Sequence, residues 1–369
     1  MRVQIVDPAA YTPPYDHALA GALARAGAQV ELVTSHFPYG PVPREQGYEV
    51  SERFYRRASG SRTGHRARRA LRAAEHLPDM LRFRGHAEAT DLVHYMWLPM
   101  PSLDRRLLPP KRPRVFTMHW RLPGKGSRIG RTLTRLLAEM DAVVVHSEHG
   151  ALRLAEDFEV SPERVEVIPH GAFDYLTHQP DEVELPEELR EVKGPVILTF
   201  GLIRPYKGTD VLLEAFARVR GAELWIVGMP RMPIEPLQEL AARAPGTVRF
   251  IDRFVTDPEI PAFMRRADIV ALPYRNIEQS GVLYTALAFG RPLVLSDVGG
   301  FPEVAELGAA RLAPVGNPEA LAEVLQGLLD DPAKRERLAA GALEAARGTY
   351  SWDEIGRETL ALYQRLLPR

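Results

Sequence analysis

The 369-residue chain contains no cysteine. That excludes disulfides, thiol nucleophiles and thiolate metal sites, and it fits a reducing compartment. Lysine is also scarce, only five of the 47 basic residues, so arginine carries the positive charge. No apolar run approaches the roughly 18–20 residues of a membrane-crossing helix, so no span is expected. The opening MRVQIVD reads as a core strand from its second residue, without the basic and apolar regions of a leader. A cytoplasmic location is the expectation. Net charge is −1 but unevenly spread: residues 1–170 hold 25 Lys and Arg against 19 Asp and Glu, and the remainder 22 against 29. The basic excess collects at 105–135 and at 53–72, in Arg53, Arg56, Arg57, Arg62, Arg66, Arg68, Arg69 and Arg72. Such a patch fits nucleic acid, an anionic membrane face, a phosphorylated substrate, or simply a solvated helix face. Nucleic acid is disfavoured, because no aromatic–basic platform or recognised nucleic-acid motif accompanies it.

What is present is alternation. The runs 2–7, 29–35, 92–97, 114–119 and 142–147 are short and continuously apolar, as parallel strands covered on both faces are. A helix from about His17 to Ala26 ends at Gly27, and residues 56–75 read as helical but glycine-interrupted. Strands recur at 195–201, 223–228, 248–254, 269–274 and 292–297. The length fits two domains of roughly 150–200 residues. The division expected is 1–175, a linker over 176–193 that is acidic from 178, and 194–350, with a helix at about 351–369 packing back on the first domain. The fold class is α/β: two doubly wound, Rossmann-like domains facing a cleft, with ligand at the carboxyl ends of the strands.

Two segments carry chemistry. VILTFGLIRPYKG (196–208) is a buried strand running into a loop with Gly201, Arg204, Lys207 and Gly208, then a helix from Thr209 or Asp210. IVALPY (269–274) is a second such strand, leading through Glu278 and Gln279 to a helix at Ser280-Gly281-Val282. Fixed cations beside a helix N-terminus and a glycine form a cradle for a diphosphate. Ser280 suits an N-cap, and Gly281 lets backbone amides approach closely. These features point to a nucleotide-linked substrate. Exposed loop cations and an ordinary capped helix are the bland alternatives. His119 and His170 each follow a strand, where histidines are more often structural. Asp16 reads equally as a helix N-cap. Asp7 and Asp297 end strands without an assigned role.

The series IPHG (168–171), FGLIRPYKGTDVLLEAF (200–216), WIVG (225–228), ADIVALPY (267–274), QSGVLYTALAFGRPLVLSDVGGFPE (279–303) and the terminal YSW helix resembles glycosyltransferase family four. It is dense over 165–303 and weaker before that. The resemblance implies the GT-B fold and a retaining, metal-independent enzyme that moves a hexose or hexosamine from a UDP- or GDP-linked donor to a hydroxyl acceptor. No cofactor is implied beyond the nucleotide sugar. The acceptor is a sugar, lipid or small molecule, and a lipid acceptor would explain the arginines as a contact with anionic membrane.

By the same resemblance Arg204 and Lys207 neutralise the leaving diphosphate, and His119 contacts the donor sugar. Arg253, Phe254 and Tyr274 lie about the base pocket. Tyr15, Asp16, His17 and His170 face the acceptor or the cleft; the loop Ala9–His17 is proline- and tyrosine-rich where many members have glycines. The family's commonest pattern has two glutamates with seven residues between them. Glu278 aligns with the first from one side, and Thr285 stands at the second from the other, one residue out of register. This marks a QSGV-type subgroup and puts the ribose contact on Thr285. A non-catalytic subunit that binds a nucleotide sugar is the alternative.

Overall fold

The computed structural model describes residues 1–367 apart from 39, 41, 43–46, 60–63, 111, 120, 121, 125 and 279. Arg62 of the basic run and Gln279 of the second loop thus lie outside the described residues. The chain divides into two compact units, Met1–His170 with Trp352–Arg369, and Gly171–Ser351.

The first unit holds seven strands: β1 Arg2–Asp7, β2 Gln29–Ser35, β3 Glu49–Phe54, β4 Leu92–Tyr95, β5 Arg114–Thr117, β6 Ala142–Val145 and β7 Val165–Val167. They form one parallel sheet in the order β3-β2-β1-β4-β5-β6-β7. Alternate residues feed two cores. Val6, Val93, Phe116 and Val143 pack under the helices 65–86, 128–137 and 148–158. Ile5, Leu92, Val115 and Val144 pack under the helices 13–25 and 352–366. The last two helices cross at backbone contact, since a Cβ on Gly356 would lie 2.8 Å from the Ala22 carbonyl oxygen.

The second unit repeats the design with β8 Val196–Phe200, β9 Glu223–Val227, β10 Val248–Ile251, β11 Ile269–Leu272, β12 Leu293–Ser296 and β13 Ala310–Ala313. The order is β10-β9-β8-β11-β12-β13, again all parallel. In each sheet the order reverses beside the first strand, between β1 and β4 and between β8 and β11. A doubly wound sheet opens a crevice at that point.

Several boundaries differ from the expectations. The first helix starts at Pro13, four residues earlier, because prolines at the first two positions have no N–H to leave unpaired. Tyr15 and Asp16 are therefore helical rather than in a loop. The segment 176–193 is packed into the second unit: Leu176 and Leu189 are buried in its core, on short helical turns at 174–178 and 187–190. Edge strands β3 and β13 went unread, since β3 is mostly exposed and lacks an apolar run. The strands before His119 and His146 end two and one residues short of them, so both histidines lie beyond the sheet.

Candidate functional site

In the second unit the site is built on the ends of β8 and β11. After Phe200 the chain turns at Gly201, φ +91°, and passes Arg204 into a tight helical turn, Pro205–Lys207. Gly208 follows at φ +65°, where a Cβ would lie 2.0 Å from the Pro273 carbonyl oxygen. Only glycine permits that approach, which brings the two strand ends together. The helix Thr209–Phe216 starts there, and Arg275 clamps it with a bidentate bond to Asp210 at 2.8 and 2.5 Å. The same guanidinium donates to the Pro205 carbonyl at 2.9 Å. Sequence reasoning missed this clamp, whose partners stand 65 residues apart.

Lys207 folds back beneath the turn. Its Nζ donates to the Phe200 carbonyl at 3.2 Å and lies 5.2 Å from the centre of the Tyr274 ring. A Cβ on Gly201 would meet this Nζ at 2.9 Å and Val282 Cγ2 at 3.0 Å. Burial lowers the Lys207 pKa to about 8, with a smaller push from the Arg204 charge. Arg204 itself is exposed. Ser280 caps the helix Gly281–Ala288, accepting from the Leu283 N–H at 3.4 Å and donating to the Tyr274 hydroxyl at 3.4 Å. Gly201, Lys207, Ser280, Val282 and the exposed Gly281 therefore come together around two helix N-termini, while Glu278 is half-buried just before them.

Other expected members sit differently. Tyr274 is fully buried, a floor under Lys207 rather than an open cleft wall. The Thr285 hydroxyl donates to the Gly281 carbonyl at 2.9 Å, one turn back in its own helix. Arg253 is tied to Glu259 at 2.6 Å and to the Phe254 carbonyl at 3.0 Å, so its side chain stiffens the loop. This ion pair and the bonds from Thr256 hold Glu259 down to about 2 against its burial. Phe254 next to it is 54% exposed.

The first unit gathers a separate cluster past its own strand ends. Tyr15 is at its centre, with ring centres at 4.6 Å to His119, 4.8 Å to His170, 5.4 Å to His146 and 5.1 Å to Trp352. Trp97 stacks on His119 at 5.7 Å and 15°. His146 donates from Nδ1 to the Ile168 carbonyl at 2.9 Å, and among the described residues its Nε2 has no hydrogen-bond partner. Burial holds His146 down to about 4, and it pushes His119 far below the ordinary imidazole range with help from the neighbouring histidines. Both rings are neutral near pH 7. His17 points elsewhere, hydrogen-bonded to the Tyr48 hydroxyl at 2.6 Å. Sequence reasoning named Tyr15, His119 and His170, with His119 at the donor sugar and the other two at the acceptor or cleft, and gave no role to Trp97, His146 or Trp352. His146, one residue beyond β6, and Trp352, in the YSW helix expected to pack on this unit, carried readable signals.

Two Rossmann-like units in one chain define the GT-B class of fold. Solved structures agree over nearly the whole length. Sucrose-phosphate synthase from Thermosynechococcus elongatus superposes with a TM-score of 0.74 at 19% identity, covering 99% of both chains. The Anabaena protein HepE in complex with UDP-glucose superposes at 0.72 and 18%, covering 99% of this chain and 100% of that one. A sequence model described as Glycosyltransferase Family 4 matches residues 15–172, and one described as Glycosyl transferases group 1 matches 194–331. The chain belongs to the group 1 glycosyltransferases of family four. It is 32% identical over 283 residues to a D-inositol 3-phosphate glycosyltransferase of Jonesia denitrificans, which takes in 69% of this chain and 66% of that protein. A protein of the same description from Xylanimonas cellulosilytica is 29% identical over 95% of this chain and 90% of its own. A Nocardioides relative so described is 32% identical, and the chain spans 54% of its length and 61% of its own.

Proposed function

We propose that the protein transfers a hexose or hexosamine, with retention and without a divalent metal, from a UDP- or GDP-linked donor to a hydroxyl acceptor. The observation that carries this is Lys207, whose buried ammonium is held against Gly201 and Val282 at the start of two helices. A leaving diphosphate gains charge as the glycosidic bond breaks. Cations fixed beforehand stabilise that state more than the ground state. Arg204, exposed at the same turn, supplies the second charge. By the family pattern Glu278 takes the sugar hydroxyls, and the ribose falls to the Thr285 oxygen, which can accept while its proton goes to Gly281. The resemblance gives His119 the donor sugar, to which it would offer a neutral hydrogen-bonding ring. Relatives described as inositol-phosphate glycosyltransferases and as an α-(1→4)-mannosyltransferase support a polyol or sugar acceptor. The protein works in the cytoplasm.

The test is calorimetric binding of UDP, GDP and their common sugars to wild type and to Arg204→Ala. Binding of one nucleotide, weakened about ten-fold or more by the substitution, is expected. No binding of either nucleotide would refute the reading. A second reading, a non-catalytic subunit that binds the nucleotide sugar, draws on Thr285, whose hydroxyl is directed at its own helix. It predicts binding with no sugar transferred to any acceptor.

The helix 65–86 exposes Leu77 and Leu81 near Arg82 and Arg84, with Arg66 and Arg69 about two to three turns earlier on the same helix. An apolar stripe among arginines supports peripheral contact with an anionic membrane and, with it, a lipid acceptor.

A further inference from the structure

We propose that Asp16 is a positioning residue that acts as a neutral acid, holding Trp97, and through it the His119 ring, by way of Thr12. The inference deepens the sugar-transfer reading and rests on it for the meaning of His119.

Asp7 is fully buried at the end of β1 and accepts three backbone N–H groups, from Ala9 at 3.1 Å, Tyr11 at 2.5 Å and Thr12 at 3.2 Å. Three such donors favour a carboxylate. Asp16, only 1% exposed, shares Thr12 with Asp7, the Thr12 N–H donating to Asp7 and the Thr12 hydroxyl to Asp16. Two buried carboxyls around one threonine favour a single negative charge, and the three N–H donors place it on Asp7, leaving the proton on Asp16. Burial, then the Asp7 charge, pushes Asp16 well above the ordinary carboxyl range.

The neutral acid passes its position onward. Asp16 Oδ1 accepts from the Thr12 hydroxyl at 3.1 Å, and that hydroxyl accepts from the Trp97 indole N–H at 2.8 Å. A hydroxyl has one proton, so giving it to Asp16 leaves the oxygen free to take the indole. Trp97 then lies nearly parallel on His119. Tyr15, adjacent to Asp16 in sequence, meets the same ring edge-on. Among the described residues, His119 Nε2 has no hydrogen-bond partner. The packing set by this chain therefore orients the ring. An ionised Asp16 would place a second buried negative charge beside Asp7.

The experiment follows the His119 ring signals in the full chain labelled with 15N-histidine, assigned by their loss in His119→Gln. Asp16→Asn is uncharged and can accept from Thr12, as the neutral acid does, so it is expected to keep the wild-type signals. Asp16→Ala and Thr12→Val, which break the chain at two separate links, are expected to shift them. Where transfer is measured, both should lower kcat about ten-fold or more with little change in donor KM, and Asp16→Asn should restore it. The proposal is overturned if Asn shifts the ring as much as Ala does, or if neither Ala nor Thr12→Val shifts it. The ring signals decide the point whether or not any transfer is found, so a failure of the sugar-transfer reading is a separate result.

Discussion

The Lys207 ammonium and the Phe200 carbonyl are 3.2 Å apart, a hydrogen bond that points the side chain back at the strand it has just left. The charge is thereby fixed where solvent barely reaches it. Such a group binds an anion without first having to be ordered.

Its lowered pKa, about 8, gives a pH signature. A bound diphosphate favours the ammonium, so donor affinity should be level below about pH 7 and fall as pH rises through 8. The fall approaches ten-fold per unit, and binding near pH 8–9 should take up a proton. Calorimetry in buffers of different ionisation enthalpy reads that proton. Affinity that stays flat to about pH 9.5 would rule out Lys207 as the phosphate contact.

Gly201→Ala places a methyl against the Lys207 Nζ and Val282 at a φ of +91°. Nucleotide affinity should drop about ten-fold or more while the thermal midpoint moves only a few degrees. Gly208→Ala differs, because its methyl would meet a backbone oxygen at 2.0 Å that cannot yield. It should destabilise the second unit by roughly 3 kcal/mol or more in thermal unfolding.

Catalysis without a divalent metal predicts full transfer activity in EDTA. A rate restored only by added magnesium or manganese would contradict it.

Membrane contact through the helix 65–86 predicts that anionic vesicles capture the wild type at low salt. Leu77→Asp with Leu81→Asp should release it, since both side chains are exposed and little stability is at stake. Capture unaffected by the double substitution would move the contact elsewhere.

The sequence made the second unit's site legible because its parts are contiguous. Gly201, Arg204, Lys207 and Gly208 lie within one turn, and Ser280 to Val282 within another. What it could not show was which way a side chain faces: Tyr274 reads as an open strand end and is buried, and Thr285 serves its own helix. The first unit's cluster was less legible for a different reason. Tyr15, Trp97, His119, His146, His170 and Trp352 come from six separate places in the chain, and only the parallel sheet makes them neighbours. The alternation of strands and helices was readable from apolar runs, whereas polar edge strands and a helix opened by prolines were not.

Residues 352–366 belong to the first unit, with Trp352 against Tyr15, Tyr363 hydrogen-bonded to His94 at 2.5 Å, and Gly356 on Ala22. A ribosome therefore releases the whole second unit before it supplies the segment that completes the first. Until then Ile5, Leu19 and their neighbours lack part of their cover. Loss of 352–366 would be felt at Tyr15, His94 and His170, which it touches from far along the chain, and expression of 1–170 alone should give an aggregating fragment rather than a domain.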